Sequence, residues 1–162
     1  MATYKVIGVG EHKKYFDENS YHSVINYIFS HAVSIGGSTH SAETAADEML
    51  YIANYFGKNS GKRLRHSMLS FSKEEGVTAA LANNYALGIK EFYAAEYQIV
   101  YAVHDNTDEV HIHFVMNQIS FIDGHRYAGK KQDYHAFMRY IRTIIERPVI
   151  PVKKGQDAAE ET

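Results

Sequence analysis

The stretch that most constrains this chain is residues 101–117, YAVHDNTDEVHIHFVMN. In an extended strand successive side chains leave on opposite faces. His111 and His113 therefore share one face, while Ile112, Phe114 and Met116 share the other and turn into a core. A short polar loop, residues 105–109, joins this strand to the apolar run QIVYAV that leads into His104. The pattern describes a hairpin that brings three imidazoles to one point, which suits a divalent metal ion. Sites with three histidines leave coordination positions open, so such a site is catalytic rather than structural in character.

The rest of the chain supplies a fold for that hairpin. Residues 4–9 (YKVIGV) read as a first strand by their β-branched and aromatic content. Polar residues 17–20 can start a helix, in which Tyr21, Val24, Ile25, Ile28 and Phe29 form an apolar stripe at helical spacing. Tyr27 lies off that stripe, roughly 120° around the helix, so the helix's own core does not explain it. Residues 31–40, with Gly36-Gly37, read as a loop. A second helix is expected over about residues 42–56, ended by Gly57. The basic segment KNSGKRLR follows as a loop and leads into the strand HSMLSFS at residues 66–72. Ser72 to Glu75 is an S-x-x-E signal for a third helix carrying Leu81, Tyr85, Ile89 and Phe92. The hairpin then occupies residues 97–120, and Asp123-Gly124 signals a further tight hairpin. A last helix over roughly residues 132–146 shows Tyr134, Phe137, Met138, Ile141 and Ile145 on one face and stops at Pro148. The order β-α-α-β-α-β-β-α implies an α+β domain, an antiparallel sheet backed by helices. One domain over residues 1–150 is expected, with residues 151–162 an extended, flexible acidic tail.

Composition narrows the function. A chain of 162 residues with 45% hydrophobic and 22% charged residues suits one globular domain. It has no apolar run of about 18 residues and no signal-peptide pattern at its start, so a cytoplasmic protein without a membrane span is expected. It has no cysteine, so any metal must use histidine and carboxylate. The formal net charge of -2 argues against indiscriminate binding to nucleic acid. The positive residues are nonetheless clustered, with Lys58, Lys62, Arg63, Arg65 and His66 within nine residues.

Neighbouring residues separate the enzyme classes that use H-x-H. A histidine-triad nucleotide hydrolase needs another histidine where this chain has Val115. Two-histidine phosphodiesterases need H-x-T or H-x-S twice, and an iron oxygenase needs H-x-D. The segment from Val103 through His104, His111 and His113 to Asn117 instead resembles the metal motif of conjugative DNA relaxases. These are mobilisation nucleases of the HUH endonuclease superfamily, and the likeness is to the plasmid-mobilisation, MOBP-like branch. Two further segments agree in order. His66 to Phe71 followed by Glu74 or Glu75 resembles the family's strand with a DNA-contacting serine, here Ser70. Val24 to Ile28 resembles the helical motif that holds the nucleophilic tyrosine, here Tyr27. The chain departs from the family at Asn106, where an aspartate is usual; Asp105 stands beside it and Asp108 is retained.

The resemblance implies a palm-like fold related to ferredoxin and RRM domains. It implies metal-dependent nicking of one DNA strand at a specific site, with a 5′-phosphotyrosine adduct, to start transfer of a plasmid or integrative element. His104, His111 and His113 would hold Mg²⁺ or Mn²⁺, and Tyr27 would be the nucleophile. Asp105 or Asp108 would orient a histidine or take the tyrosine proton. Lys62, Arg63, Arg65, His66, Ser70, Asn117 and Arg126 would contact DNA. Its partners would be single-stranded or supercoiled origin-of-transfer DNA, accessory relaxosome proteins and a coupling protein. Two alternatives stay open. A rolling-circle replication initiator would use Tyr134 or Tyr140, and Tyr21 is a reserve for Tyr27. A non-catalytic DNA-binding or assembly module would keep the fold alone.

Overall fold

The computed structural model describes residues 1–152, so the acidic tail expected over residues 151–162 lies outside the described residues apart from its first two positions. Along the chain come β1 (Ala2–Ile7), α1 (Ser20–Phe29), β2 (Ser34–Gly37), α2 (Ala45–Tyr55) and β3 (Leu64–Ser70). A 3-10 turn at Lys73–Glu75 leads to α3 (Ala79–Ile89) and the short α4 (Glu91–Ala94). Then follow β4 (Ile99–His104), β5 (His111–Asn117), α5 (Lys131–Ile145) and β6 (Val149–Pro151). The six strands form one sheet in the order β2-β4-β5-β3-β1-β6. Its pairings are antiparallel except the edge pair β1 and β6, which is parallel. The fold is α+β, as the order of elements implies. No helix of the described residues is long and apolar enough to cross a membrane.

Strand alternation splits the interior in two. Ile99, Tyr101 and Val103 of β4 and Ile112, Phe114 and Met116 of β5 join one core with residues of α3, α4 and α5. Val100, Ala102 and Val115 face the other way and pack with Tyr21, Ile25 and Ile28 of α1 and Met49 and Ala53 of α2. Helices thus cover both faces of the central strands, which is why β4 is buried at all six positions. Each fully buried Ile or Phe contributes about 1.5–3 kcal/mol. The pleat makes register strict, because a one-residue slip of β5 would exchange histidines for core residues. The observed register sets His104 opposite His111, with Ser70 of β3 on the other side of His111.

Three local readings differ from expectation. Gly36-Gly37 lies in an edge strand and not in a loop, because Gly36 sits opposite Tyr101 and the phenol ring crosses it. A Cβ on Gly36 would stand 2.6–2.8 Å from atoms of that ring, so the glycine is there for close approach. Ser72 and Glu75 do form a capping box, but it closes the 3-10 turn, whereas α3 is capped by the Thr78 side chain accepting from Leu81 N–H. Around Asp123-Gly124 the chain makes a single bridge, Ile119 with Arg126, in place of a strand pair. Gly124 holds φ +77° with Phe56 packed against it, and a Cβ there would meet Phe56 at 2.4 Å.

The Gly36 contact can be tested. The Tyr101 hydroxyl donates to Asn83 Oδ1 (2.8 Å), which also accepts from Ser34 (3.0 Å), so the ring is held on both strands. Gly36→Ala is expected to lower unfolding free energy by about 2–3 kcal/mol, an overpacking cost. Urea unfolding followed by circular dichroism measures it, and an unchanged midpoint would show that the ring yields freely.

A histidine cluster facing an exposed tyrosine

The three histidines of the hairpin stand together at one end of the sheet. Ring centroids are 5.2 Å apart for His104 and His111, 5.1 Å for His104 and His113, and 5.2 Å for His111 and His113. One nitrogen of each ring is already engaged. A backbone carbonyl only accepts, so His104 Nε2–H donates to Ile28 O (2.6 Å) and His111 Nδ1–H donates to Glu109 O (2.9 Å). In neutral rings that leaves lone pairs on His104 Nδ1 and His111 Nε2. His113 Nδ1 lies 2.9 Å from His66 Nε2, and His66 Nδ1 lies 3.1 Å from the Tyr15 hydroxyl. Among the described residues no three histidine or carboxylate groups are placed so that they could hold a metal ion as they stand. What the fold gathers is three rings, each steadied through one of its nitrogens.

Helix α1 brings the tyrosine. Its buried residues are Tyr21, Ile25 and Ile28, and Tyr27 stands off them at 66% exposure. The Tyr27 ring presents edge-on to His113 at 6.2 Å and to His66 at 6.5 Å. The next residue, Ile28, offers one of the last carbonyls of the helix, which no further turn can satisfy, and His104 takes it. One hydrogen bond thus ties the helix end that carries Tyr27 to the cluster it faces.

Burial favours the neutral form of His113, His111 and their neighbour His66. Burial pushes His113 down to about 3, helped by His66, His111, His104 and Lys5. Burial also pushes His66 down to about 4, with Lys14 adding to it. His111 is lowered chiefly by burial, against the opposing hydrogen bond to Glu109. The Tyr15 hydroxyl is raised to about 12 by burial, then by Glu11 and Tyr27. These are the conditions for imidazoles that give lone pairs rather than charge.

The other residues singled out in the sequence fall into different places. Asp105 and Asp108 sit exposed on the β4–β5 turn. The partners of the ring nitrogens are two carbonyls and His66, not these carboxylates. His66, expected to contact DNA, is 3% exposed with both nitrogens engaged, one of them by His113 of the cluster. Arg63 is buried and donates to Phe16 O (3.0 Å) and Asn59 O (2.7 Å), holding a loop together. Arg65 follows the strand alternation to the opposite face from His66, where its guanidinium lies 5.3 Å from the Tyr127 ring. Arg126 is exposed but its guanidinium donates to the Lys62 and Ser60 carbonyls, closing the basic loop. Asn117, expected to line a cleft, is fully buried. Ser70 pairs in register with His111 at the edge of the cluster, and Lys62 is half-buried with its ammonium 5.8 Å from the Tyr15 ring.

Reading the sequence missed Tyr15 and Lys14. Tyr15 lies in the loop between β1 and α1, whose residues show no period to read, and Lys14 Nζ is 5.4 Å from its ring. Tyr15 holds φ +66°, a strained conformation for a bulky residue. Only the folded chain brings it to His66, 51 positions away.

The sequence pattern of the MobA/VirD2-like relaxase nuclease domain matches residues 27–147, about three quarters of the chain. The chain belongs to this relaxase family, whose class of work is DNA nicking in mobilisation. It is also similar to "Protein rlx" of Staphylococcus aureus, with 26% identity over 111 residues that cover 68% of this chain and 33% of that protein. The chain thus spans about a third of the length of the curated relative it matches.

Proposed function

We propose that this chain nicks one strand of DNA at a specific origin site by transesterification, with residues 1–150 acting as one nuclease domain. The Tyr27 hydroxyl attacks the scissile phosphorus and the bond to the departing 3′-oxygen breaks. The products are a 5′-phosphotyrosine and a free 3′-OH, and the same 3′-OH can reverse the reaction. The observation that carries this reading is the exposed Tyr27 ring facing His113 at 6.2 Å, on a helix end bonded to His104.

His104, His111 and His113 are the residues that would hold a divalent cation such as Mg²⁺ or Mn²⁺, on their donor chemistry and their gathering at one end of the sheet. When bound, such an ion supplies positive charge against the non-bridging phosphate oxygens, and neutral ligands leave that charge undiminished. Ser70, paired in register with His111, and Lys62 and Lys14, whose ammonium groups lie beside the Tyr15 ring, are proposed to contact the strand's backbone. Asp105 or Asp108, exposed on the β4–β5 turn, is proposed to help take the tyrosine proton. Origin DNA is the proposed substrate, and accessory proteins and a coupling protein are the proposed partners.

The initiator alternative is disfavoured by position. Tyr134 packs 6.2 Å from Tyr4 and the Tyr140 hydroxyl donates to Gly88 O (2.8 Å), both on the face of the sheet away from the histidines. Tyr21 is fully buried and donates to Asn117 Oδ1 (3.0 Å), so it cannot meet a phosphate.

Capture on DNA tests the proposal. The full chain, incubated with a randomised single-stranded oligonucleotide library and Mn²⁺, is expected to form an adduct that survives denaturing electrophoresis. Excess chelator is expected to abolish it, and sequencing the captured strands reads out the origin. Nicking that proceeds equally in chelator would refute the metal assignment, and absence of any adduct would count against the transesterase reading.

A further inference from the structure

The hydrogen-bonded row from Tyr15 through His66 to His113 has a direction that the metal reading does not by itself specify. Distances are 3.1 Å from the Tyr15 hydroxyl to His66 Nδ1 and 2.9 Å from His66 Nε2 to His113 Nδ1. With neutral rings the row admits two proton arrangements. In one, the Tyr15 hydroxyl donates to His66 Nδ1, His66 Nε2–H donates to His113 Nδ1, and His113 is left with a proton on Nε2. In the other, His113 Nδ1–H donates to His66 Nε2, His66 Nδ1–H donates to the Tyr15 oxygen, and His113 Nε2 carries a lone pair. Both hold the same three protons, so the difference is one of tautomer and not of charge. Only the second leaves His113 able to act as a ligand.

We infer that Tyr15 and His66 are positioning residues that set the tautomer of His113 and couple it to the direction of the Tyr15 hydroxyl. His104 and His111 have their tautomers fixed by carbonyls, which can only accept. His113 has instead a partner that can turn either way, so its state depends on what lies beyond His66. Tyr15 is held for that task. Its carbonyl accepts from Arg63 N–H (2.8 Å), and the Arg63 guanidinium bonds to the carbonyl of Phe16, the next residue. His66 is 3% exposed, so water does not compete at either nitrogen. Occupancy at His113 Nε2 selects the second arrangement and turns the Tyr15 proton outward. The Tyr27 ring, edge-on to both His66 and His113, stands beside this row.

The inference rests on the metal reading proposed above, and the experiment separates the two. Mn²⁺ affinity of the full chain is measured by titration calorimetry for wild type, His66→Ala, His66→Gln and Tyr15→Phe. Long-range nitrogen–proton NMR of the metal-free proteins reports which His113 nitrogen carries the proton. His66→Ala is expected to weaken Mn²⁺ binding about 10–100-fold, the usual effect of losing an outer partner of a ligand histidine. His66→Gln, whose amide oxygen can accept from His113 Nδ1–H, is expected to restore most of it. Tyr15→Phe, which removes the terminal acceptor and keeps the ring, is expected to move the His113 proton toward Nε2 and to weaken binding. Unchanged affinity and nitrogen shifts in folded His66→Ala and Tyr15→Phe, with a wild type that binds Mn²⁺, would overturn the inference alone. A wild type that does not bind Mn²⁺ would overturn the metal reading and the inference with it.

Discussion

Tyr27→Phe is expected to eliminate the covalent protein–DNA adduct and to reduce nicking by roughly 10³-fold or more, since it removes the attacking oxygen itself. The same change is expected to leave folding stability within about 0.5 kcal/mol, as for other surface substitutions, because the side chain is 66% exposed. Mn²⁺ affinity is expected to hold as well, for none of the three histidine rings takes its hydrogen bond from Tyr27. The pairing of lost chemistry with retained fold and metal binding is what identifies a nucleophile. Tyr134→Phe and Tyr140→Phe serve as controls and are expected to keep the adduct, because both rings lie with the α5 layer on the far side of the sheet. Gel mobility of labelled 5′-end products measures all three variants. An adduct persisting in Tyr27→Phe and lost in Tyr134→Phe would move the assignment to the initiator alternative.

The elements legible in the sequence were those whose period carries their burial. The stripe of α1, the alternation of β5 and the strongly amphipathic α5 could each be read from spacing, because one face of each packs on the sheet. The gathering of His104, His111 and His113 followed from the same alternation plus a short turn. Strand β2 was hidden, since its reason for being a strand is the Tyr101 ring lying over Gly36, a contact 65 positions distant. The placement of the basic residues was hidden for a related reason. Arg63 and Arg65 are two residues apart in a basic run, but burial draws one into a loop clamp and strand parity sets the other on the face away from His66. Carboxylates were expected to orient the histidines because they stand next to them in sequence. The fold instead uses carbonyls of Ile28 and Glu109 and the ring of His66, none of which a linear motif marks as partners.

Asn117, at the end of the histidine motif, is fully buried with every hydrogen-bonding position of its amide engaged. Its Oδ1 accepts from the Tyr21 hydroxyl (3.0 Å) and from Ile119 N–H (3.1 Å), and its Nδ2 donates to Met49 O (3.1 Å) and Gln98 Oε1 (3.0 Å). One amide therefore joins α1, α2, the approach to β4 and the chain leaving β5, in a site with no exposure to water. Removing it strands partners on all four segments, and each buried polar group left unpaired costs about 1–3 kcal/mol. Asn117→Ala is accordingly expected to lower unfolding free energy by about 3–5 kcal/mol, allowing for partial relaxation of the site. Asn117→Asp keeps the two acceptor contacts but loses both donors and buries a charge, so it is expected to be no better. Urea denaturation gives the stability, and DNA affinity measured on the folded fraction gives the second coordinate. A large stability loss with unchanged affinity per folded molecule marks Asn117 as the bond between α1, which carries Tyr27, and the strand that carries His111 and His113. Unchanged stability with weakened DNA binding would return it to the cleft.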